Sequence, residues 1–338
     1  MPNRRDDEAA GRSGASDPSV LGPAGPTAPS GPTAPTAPAH PGLPWELPHR
    51  FLGLDEAESG LERARAAILP VPWESTVSYG GGTRRGPGAI VEASRYVELY
   101  DQELDWEPST VGVHTFPALE LTREGQAQAM AELEHAYGRV AEAMGSRFLV
   151  MLGGEHAVSA PAIRAQAARA GERISVLQLD AHADLRAEFE GSPHSHACAM
   201  ARVLDVADVV GVGIRGISRE EVEVARSTEG VTLIYAEEMW ESDAWMDRAL
   251  EALGPRVYLT FDVDYFDPAL VPSTGTPEPG GGDWYRTLRF LRRVFETREV
   301  IAADVVELAP TPGLHAPDFL VAKLVYKMLG YRFNGSRP

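Results

Sequence analysis

The sequence predicts an α/β protein built on a parallel sheet of about eight strands, with helices over both faces. Three observations carry that reading. Short apolar runs of strand length recur through the chain, among them Ala66–Val71, Phe148–Leu152, Ile174–Leu179 and Val257–Phe261. Stretches with helical spacing separate them, which is the pattern of a parallel sheet covered on both faces. Three of the runs end abruptly in acidic residues or histidine, at the strand ends where open α/β sheets place their sites.

Taken in order, residues 1–42 are rich in Pro, Ala, Gly, Ser and Thr, as in Gly31-Pro-Thr-Ala-Pro-Thr-Ala-Pro38. Such a segment has too little apolar surface to offset its ordering entropy and is read as a disordered tail. Residues 43–338 then form one α/β domain. Ala66–Val71 is the first strand, followed by a Gly-rich loop, Pro72 to Pro87. Pro87–Ser94 is a helix with proline early, where its missing donor costs least. Val111–Val113 is a short strand and Arg123–Met144 a helix rich in Ala and Glu. The strand ending at Leu152, a helix over Ser159–Ala170 and the strand Ile174–Leu179 come next. Ala197–Leu204 reads as helical. Val209–Ile214 is a strand, and Arg219–Arg226 a charged helix with Ser218 as N-cap. Val231–Tyr235 (strand), Asp243–Leu253 (helix), Val257–Phe261 (strand), Trp284–Thr297 (helix), Val300–Leu308 (strand) and Asp318–Leu329 (helix) complete the pattern.

The 338 residues carry a formal net charge of −18. That excess disfavours nucleic acid as a partner and suits a small cationic substrate. Cys198 is the single cysteine, so neither an intrachain disulfide nor a cysteine-based zinc framework is expected. The usage is compatible with a reducing cytoplasm. No apolar run is long enough to span a bilayer, and no apolar core follows the basic residues of the N-terminus as in a secretory signal.

The strand tips hold the chemistry. After Leu179 comes Asp180-Ala-His182-Ala-Asp184, after Phe261 comes Asp262-Val-Asp264, and after Leu152 comes Gly153-Gly-Glu-His156. Alternate residues of an extended backbone share a face, so these carboxylates and imidazoles converge. A single Asp at a strand end is ordinarily a cap or turn residue. Asp-x-His-x-Asp after one strand and Asp-x-Asp after another are not explained that way. Two divalent ions would balance four carboxylates, and mixed carboxylate and imidazole donors suit manganese or a similar ion.

At this point a resemblance enters. Gly153-Gly-Glu-His156, Asp180-Ala-His-Ala-Asp184, Phe261-Asp-Val-Asp-Tyr-Phe-Asp-Pro268, Gly275-Thr-Pro-Glu-Pro-Gly-Gly281 and Asp304-Val-Val-Glu307 resemble the signature set of the ureohydrolase (arginase/agmatinase) family. The loop from Thr76 to Pro87 is similar to that family's N-terminal loop. The resemblance runs from about residue 65 to 330 and implies the three-layer α/β/α arginase fold. It also implies that His156, Asp180, Asp184 and Asp262 hold one manganese ion. Asp180, His182, Asp262 and Asp264 would hold the second, with Asp180 and Asp262 shared. A hydroxide between the ions would attack the guanidinium carbon, with Asp184 bonded to it. Glu307 would grip the guanidinium, and His196 would shuttle the proton. His194, two residues earlier, is a loop residue with a possible part in substrate binding, and Cys198 a small buried residue.

The resemblance further implies a homo-oligomer, trimeric or hexameric, and leaves the guanidine to be chosen. The acidic chain, Glu188 and Glu190 in the loop after the first metal motif, and Glu278 in an agmatinase-like stretch point to a cationic tail. Agmatine, cut to putrescine in polyamine biosynthesis, is the first expectation. Aminopropyl-agmatine, guanidinobutyrate and arginine are the alternatives, and a non-catalytic metal-binding homologue a reading of a different class. Gly211-Val-Gly-Ile-Arg-Gly216 also fits the G-x-G-x-x-G of dinucleotide-binding proteins, with Glu237 near the ribose-binding distance. The helix it requires begins only at Ser218, which weakens that reading.

Overall fold

Every apolar run named above lies in or beside a strand. The computed structural model describes residues 46–336, so the Pro-rich segment 1–42 lies outside the described residues. The strands are β1 (Ala66–Val71), β2 (Val113–Thr115), β3 (Phe148–Gly153), β4 (Ile174–Leu179), β5 (Ala207–Ile214), β6 (Val231–Tyr235), β7 (Arg256–Asp262) and β8 (Glu299–Val306). They form one sheet in the order β2-β1-β3-β8-β7-β4-β5-β6, and every neighbouring pair is parallel.

The helices are α1 (Glu56–Ser59), α2 (Gly86–Ser94), α3 (Gln126–Met144), α4 (Ser159–Ala170), α5 (Arg219–Ser227), α6 (Ala236–Glu241), α7 (Ala244–Ala252), α8 (Trp284–Thr297) and α9 (Ala316–Phe333). Alternation along the strands divides the core in two. Ala66 and Ile68 of β1 pack with Ile90, Phe290 and Leu324 on one face. Ala67, Leu69 and Val71 pack with Leu133, Tyr137 and Ile163 on the other. Helices α2, α6, α7, α8 and α9 cover the first face, and α3, α4 and α5 the second, which is the three-layer architecture anticipated. Central strands buried on both faces read as unbroken apolar runs for this reason.

Three local expectations need correction. The short strand lies at Val113–Thr115 rather than Val111–Val113. Pro108–Val111 is a 3-10 turn, and Gly112 at φ 74 separates the two. Ala197–Leu204 is not a regular helix: His196–Cys198 is a single 3-10 turn. The amides of Met200 and Ala201 both go to the carbonyl of Asp184, at 3.0 and 3.1 Å, so they are withheld from a helical ladder. Helix α6 follows β6 directly and was not anticipated. Ser218 does cap α5, its Oγ accepting from Glu221 N while Glu221 reaches back to Ser218 N.

Strands β3 and β4 follow one another in the chain but stand apart in the sheet, with β8 and β7 between them. The crevice outside the carboxyl ends of these four strands is therefore the topological position for a site. Behind the sheet, α9 is tied to the loop after α2 by a buried charge. Lys327, 3 % exposed, donates to both carboxylate oxygens of Asp101 at 2.9 and 2.8 Å and lies 2.6 Å from Glu103. Replacing Lys327 by Met is expected to leave Asp101 ionised without a cation. The loss should be about 3–5 kcal/mol of stability, read from urea unfolding, with ligand binding at the opposite strand ends unaffected.

Candidate metal centre

The sequence places carboxylates at four strand tips, and backbone amides at the same tips decide how they point. Asp180 follows β4 and is fully buried; its Oδ1 accepts from His182 N at 2.6 Å. Asp262 closes β7, and its Oδ1 accepts from Asp264 N at 2.9 Å. Asp264 in turn accepts from Ala181 N at 2.9 Å, binding the β7 tip to the loop after β4. Glu307 follows β8, and its Oε1 accepts from His156 N at 2.6 Å. The backbone is not extended throughout. Asp184 and Glu307 take positive φ, 52° and 67°, and these turns swing both carboxylates into one cavity with the rest.

Two clusters result that share Asp180: His156, Asp180 and Asp262, then Asp180, His182 and Asp264. His156 Nδ1 lies 3.0 Å from Asp180 Oδ2, 2.9 Å from Asp184 Oδ2 and 3.4 Å from Asp262 Oδ2. His182 Nδ1 lies 2.9 Å from Asp264 Oδ2 and 3.7 Å from Asp180 Oδ1. All six residues expected as metal ligands are thus brought together. All but the fully buried Asp180 line one cavity, together with Glu155, His196, Glu307 and the loop residues Val77–Gly80.

The electrostatics show what the cluster lacks. Burial, and then the charges of Asp264 and Asp184, push Asp180 up to about 7. Burial and the same kind of crowding, by Asp264, Asp180 and Glu307, raise Asp262 well above the carboxylate range. Glu307 is also raised well above it, burial outweighing its bond from His156 N. Asp264 moves the other way: burial is overcome by His182 and by the Ala181 amide, which bring it down to about 2. Burial disfavours the charged form of both imidazoles, yet the carboxylates more than offset it. His182 rises to about 10, and His156 well above its ordinary value. Each histidine thus holds a proton where a positive charge is wanted.

A divalent cation fits that demand better. His156 Nε2 lies 2.9 Å from Thr260 Oγ1, which donates to Asp304 Oδ1 at 2.6 Å. Thr260 therefore accepts from Nε2–H, and the Nδ1 lone pair of a neutral ring faces three carboxylate oxygens. Such an arrangement calls for a cation between them. Imidazole nitrogen with carboxylate oxygen is a donor set for manganese and similar divalent ions, and no thiolate is present to favour a soft one.

His196 stands at the start of its 3-10 turn with Nδ1 3.1 Å from Thr76 Oγ1 and Nε2 3.4 Å from Ser78 Oγ. Glu188 and Glu190 are exposed and are not among the residues lining the cavity. The residue between them, Phe189, meets the His196 ring in a T-shaped pair with centroids 5.9 Å apart. Glu278 is half-buried beside Gly216, and its carbonyl accepts from Arg215. His194 lines a separate groove with Arg164 and Arg202. Cys198 is buried, its thiol pushed up to about 11 by that burial, as suits a packing residue.

The G-x-G-x-x-G stretch has a different use. Gly213, at φ 95, leaves no room for a side chain against the Tyr265 ring, and a Cβ on Gly216 would meet His182 Cδ2 at 2.5 Å. These glycines let β5 approach the His182 loop of this same chain, not a pyrophosphate. Sequence reading also passed over Glu155, although it stands inside Gly153-Gly-Glu-His156. It is buried, and its Oε2 accepts from Ser75 N and Thr76 N at 2.8 and 2.7 Å.

The arginase family profile matches residues 64–330. The chain belongs to the arginase family. A curated relative from Synechocystis sp., named N(1)-aminopropylagmatine ureohydrolase, is 39 % identical over 84 % of this chain and 94 % of its own length. One from Pyrococcus horikoshii, named agmatinase, is 31 % identical over 78 % of this chain and 90 % of its own. Among solved structures, the agmatine ureohydrolase of Thermoplasma volcanium superposes with a TM-score of 0.74 at 26 % identity, over 85 % of this chain and 94 % of that one. No helix among the described residues is long and apolar enough to cross a membrane.

Because Gly216 gives His182 its place, Gly216→Ala is expected to lower divalent-metal affinity by about 10–100-fold, the usual effect of disturbing a ligand's support. Equilibrium binding measured by calorimetry checks this, with circular dichroism showing an intact fold.

Proposed function

We propose that this protein is a binuclear-metal ureohydrolase that releases urea from a guanidine bearing a cationic tail. The observation that carries the reading is the pair of ligand clusters sharing Asp180, with a half-buried glutamate, Glu307, opening on the same cavity. One ion is assigned to His156, Asp180, Asp184 and Asp262, the other to Asp180, His182, Asp262 and Asp264. Manganese is the ion proposed, from the mixed donors. Bound there, the two ions would supply a nucleophile from water at neutral pH and polarise the guanidine.

The remaining work falls to the chain itself. Glu307 has Oε1 fixed by His156 N, which leaves Oε2 for the planar cationic fork of a guanidinium. Asp184 stands at the cavity wall to accept a hydrogen bond from a proton-bearing oxygen. His196, which lines the cavity, is the group placed to give a proton to the departing amine. The net charge of −18 draws a dication in preference to a zwitterion.

For the tail, the relatives named N(1)-aminopropylagmatine ureohydrolase at 38–39 % identity favour that substrate. Agmatine is the second reading, supported by the relatives named agmatinase at 31–34 % and by the Thermoplasma volcanium structure. Urea release by the manganese-loaded protein separates them when aminopropylagmatine, agmatine, arginine, guanidinobutyrate and guanidine are compared side by side. A preference for either polyamine precursor is expected; a clear preference for guanidinobutyrate or arginine would refute the cationic tail.

His196→Ala should keep both ions by elemental analysis yet slow turnover by about 10²–10⁴-fold, the usual worth of acid–base assistance. Metal loading should also release protons. His182, at about 10 in the metal-free protein, and His156, raised well above its usual value, are both protonated at pH 7.5 and must be neutral to bind. Affinity therefore rises with pH, and calorimetry in buffers of differing ionisation enthalpy should show net proton release, from the histidines and from Asp262, whose carboxyl is raised as well.

A further inference from the structure

Arg215, the residue after β5, is half-buried and spends its guanidinium on backbone carbonyls. Nη2 reaches Asp264 O at 2.7 Å, Glu278 O at 2.9 Å and Phe266 O at 3.3 Å. Nη1 reaches Gly213 O at 3.0 Å and Tyr265 O at 3.5 Å. Nε reaches Pro279 O at 3.1 Å and Glu278 O at 3.3 Å. A guanidinium carries five N–H donors in a rigid planar fork, and here six carbonyls share them. None of these partners is a carboxylate, so the charge gathers backbone rather than closing an ion pair.

The bonds close a ring beside one of the two ligand clusters. Ala181, between Asp180 and His182, donates its N–H to Asp264 Oδ1 at 2.9 Å. The Asp264 carbonyl accepts from Arg215 Nη2, and Arg215 N donates to Ala181 O at 2.8 Å. The loops after β4, β5 and β7 are thereby tied together at the residues that carry His182 and Asp264. A second branch runs to the stretch 275–282. Gly282 N donates to Tyr265 O at 2.9 Å, and Gly275 O accepts from Gly80 N at 3.1 Å. Gly275 and Thr276 line the cavity. Gly281, at φ 116, is shaped to this seat: a Cβ there would lie 2.9 Å from Arg215 Nη2 and 2.4 Å from Tyr265 O. Asp262, two residues before Asp264, is held differently, by the pairing of β7 with Val306 of β8. His156 stands on the separate tip after β3.

We propose that Arg215 is a positioning residue for one half of the metal centre. Through the Asp264 carbonyl it aims the Asp264 carboxylate at the ion shared with Asp180 and His182, and through the Glu278 and Pro279 carbonyls it fixes the adjoining wall of the cavity. The inference rests on the two-ion reading above. Hydrogen bonds from a charged donor are roughly twice as strong as neutral ones, so removal of this one side chain frees six carbonyls at once from their strongest donor. The consequence is asymmetric: loss of Arg215 weakens the ion at Asp180, His182 and Asp264 and spares the ion at His156.

Manganese binding to the full chain tests this, with calorimetry giving the stoichiometry and electron paramagnetic resonance showing whether the bound ions are a coupled pair. Arg215→Met and Arg215→Lys are compared with the wild type; lysine keeps the charge but offers its donors from one point. The wild type should take up two ions per chain with the spectrum of an exchange-coupled pair. Arg215→Met should bind one ion with wild-type affinity and the other about 10–100-fold more weakly, so that concentrations filling both wild-type sites give the spectrum of isolated ions. Arg215→Lys should fall between the two. In a His182→Ala background, which already lacks a ligand of the affected ion, Arg215→Met should add little further loss. Equal weakening of both ions, an unchanged coupled pair in Arg215→Met, or fully additive losses with His182→Ala would overturn the proposal. If Arg215→Met does not fold by circular dichroism, Arg215→Lys decides; if neither folds, Arg215 serves the whole fold and the proposal fails. A wild type that takes up a single ion overturns the two-ion reading and this proposal with it. A wild type that binds two ions and releases no urea fails the ureohydrolase reading alone, and the variants still decide the role of Arg215.

Discussion

Crowded negative charge is the constraint on which the rest of this structure depends. Asp180, Asp184, Asp262, Asp264, Glu155 and Glu307 stand around one cavity with two buried or half-buried imidazoles. Burial alone would hold such carboxylates protonated, and their mutual repulsion adds to it. The opposite shifts of Asp264, down to about 2, and Asp180, up to about 7, show how unevenly two protonated histidines neutralise the group. Outside cations would balance such a group, and the fold has to hold it together in their absence.

It does so by dividing the work of each carboxylate between its two oxygens. Asp180 Oδ1, Asp262 Oδ1, Asp264 Oδ1 and Glu307 Oε1 each accept a backbone N–H from a neighbouring tip or from their own turn. The Oδ2 atoms of the three aspartates face His156 or His182 instead. Glu155 follows the same rule one layer out, spending Oε2 on Ser75 and Thr76. One oxygen braces a loop while the other remains for a ligand. Hydrogen bonds from amides to ionised acceptors are the strong kind, so the bracing also favours the charged form that a cation needs.

This division explains what the sequence could and could not disclose. Apolar runs such as Ile174–Leu179 mark the strands because burial on both faces demands continuous apolar residues. The clustered carboxylates and imidazoles were legible because Asp-x-His-x-Asp and Asp-x-Asp directly follow such runs. The bracing was not, since it is made by backbone amides that every residue carries. Thr76 and Glu155 were passed over for the same reason: their value lies in contacts across 79 or more residues of chain. Gly211-Val-Gly-Ile-Arg-Gly216 misled in the other direction. Glycine signals a close approach, but sequence does not say whether the approaching group is a pyrophosphate or, as here, His182. Glu188 and Glu190 were chosen for charge and for their loop's place after the first metal motif, whereas that loop meets His196 through the ring of Phe189.

The region 197–204 shows how far the site dictates its surroundings. Its composition is adequate for a helix, and a helix would satisfy its own amides. Asp184, however, must turn its carboxylate toward His156, which it does at φ 52, a conformation costing an L-residue about 1–2 kcal/mol. Glycine would remove that cost and with it the carboxylate. The turn is instead secured from outside, by Met200 N and Ala201 N on the Asp184 carbonyl. The second of those bonds takes the Ala201 amide that a helix over 197–204 would have turned on Ala197, and what remains is the single turn that carries His196 to the rim. The same compromise holds Glu307, at φ 67, with its own N–H on the carbonyl of Gly154. Regular structure is thus given up at the points where a carboxylate has to be aimed, and the displaced backbone then positions the neighbouring catalytic candidates, His196 after one turn and His156 beside the other.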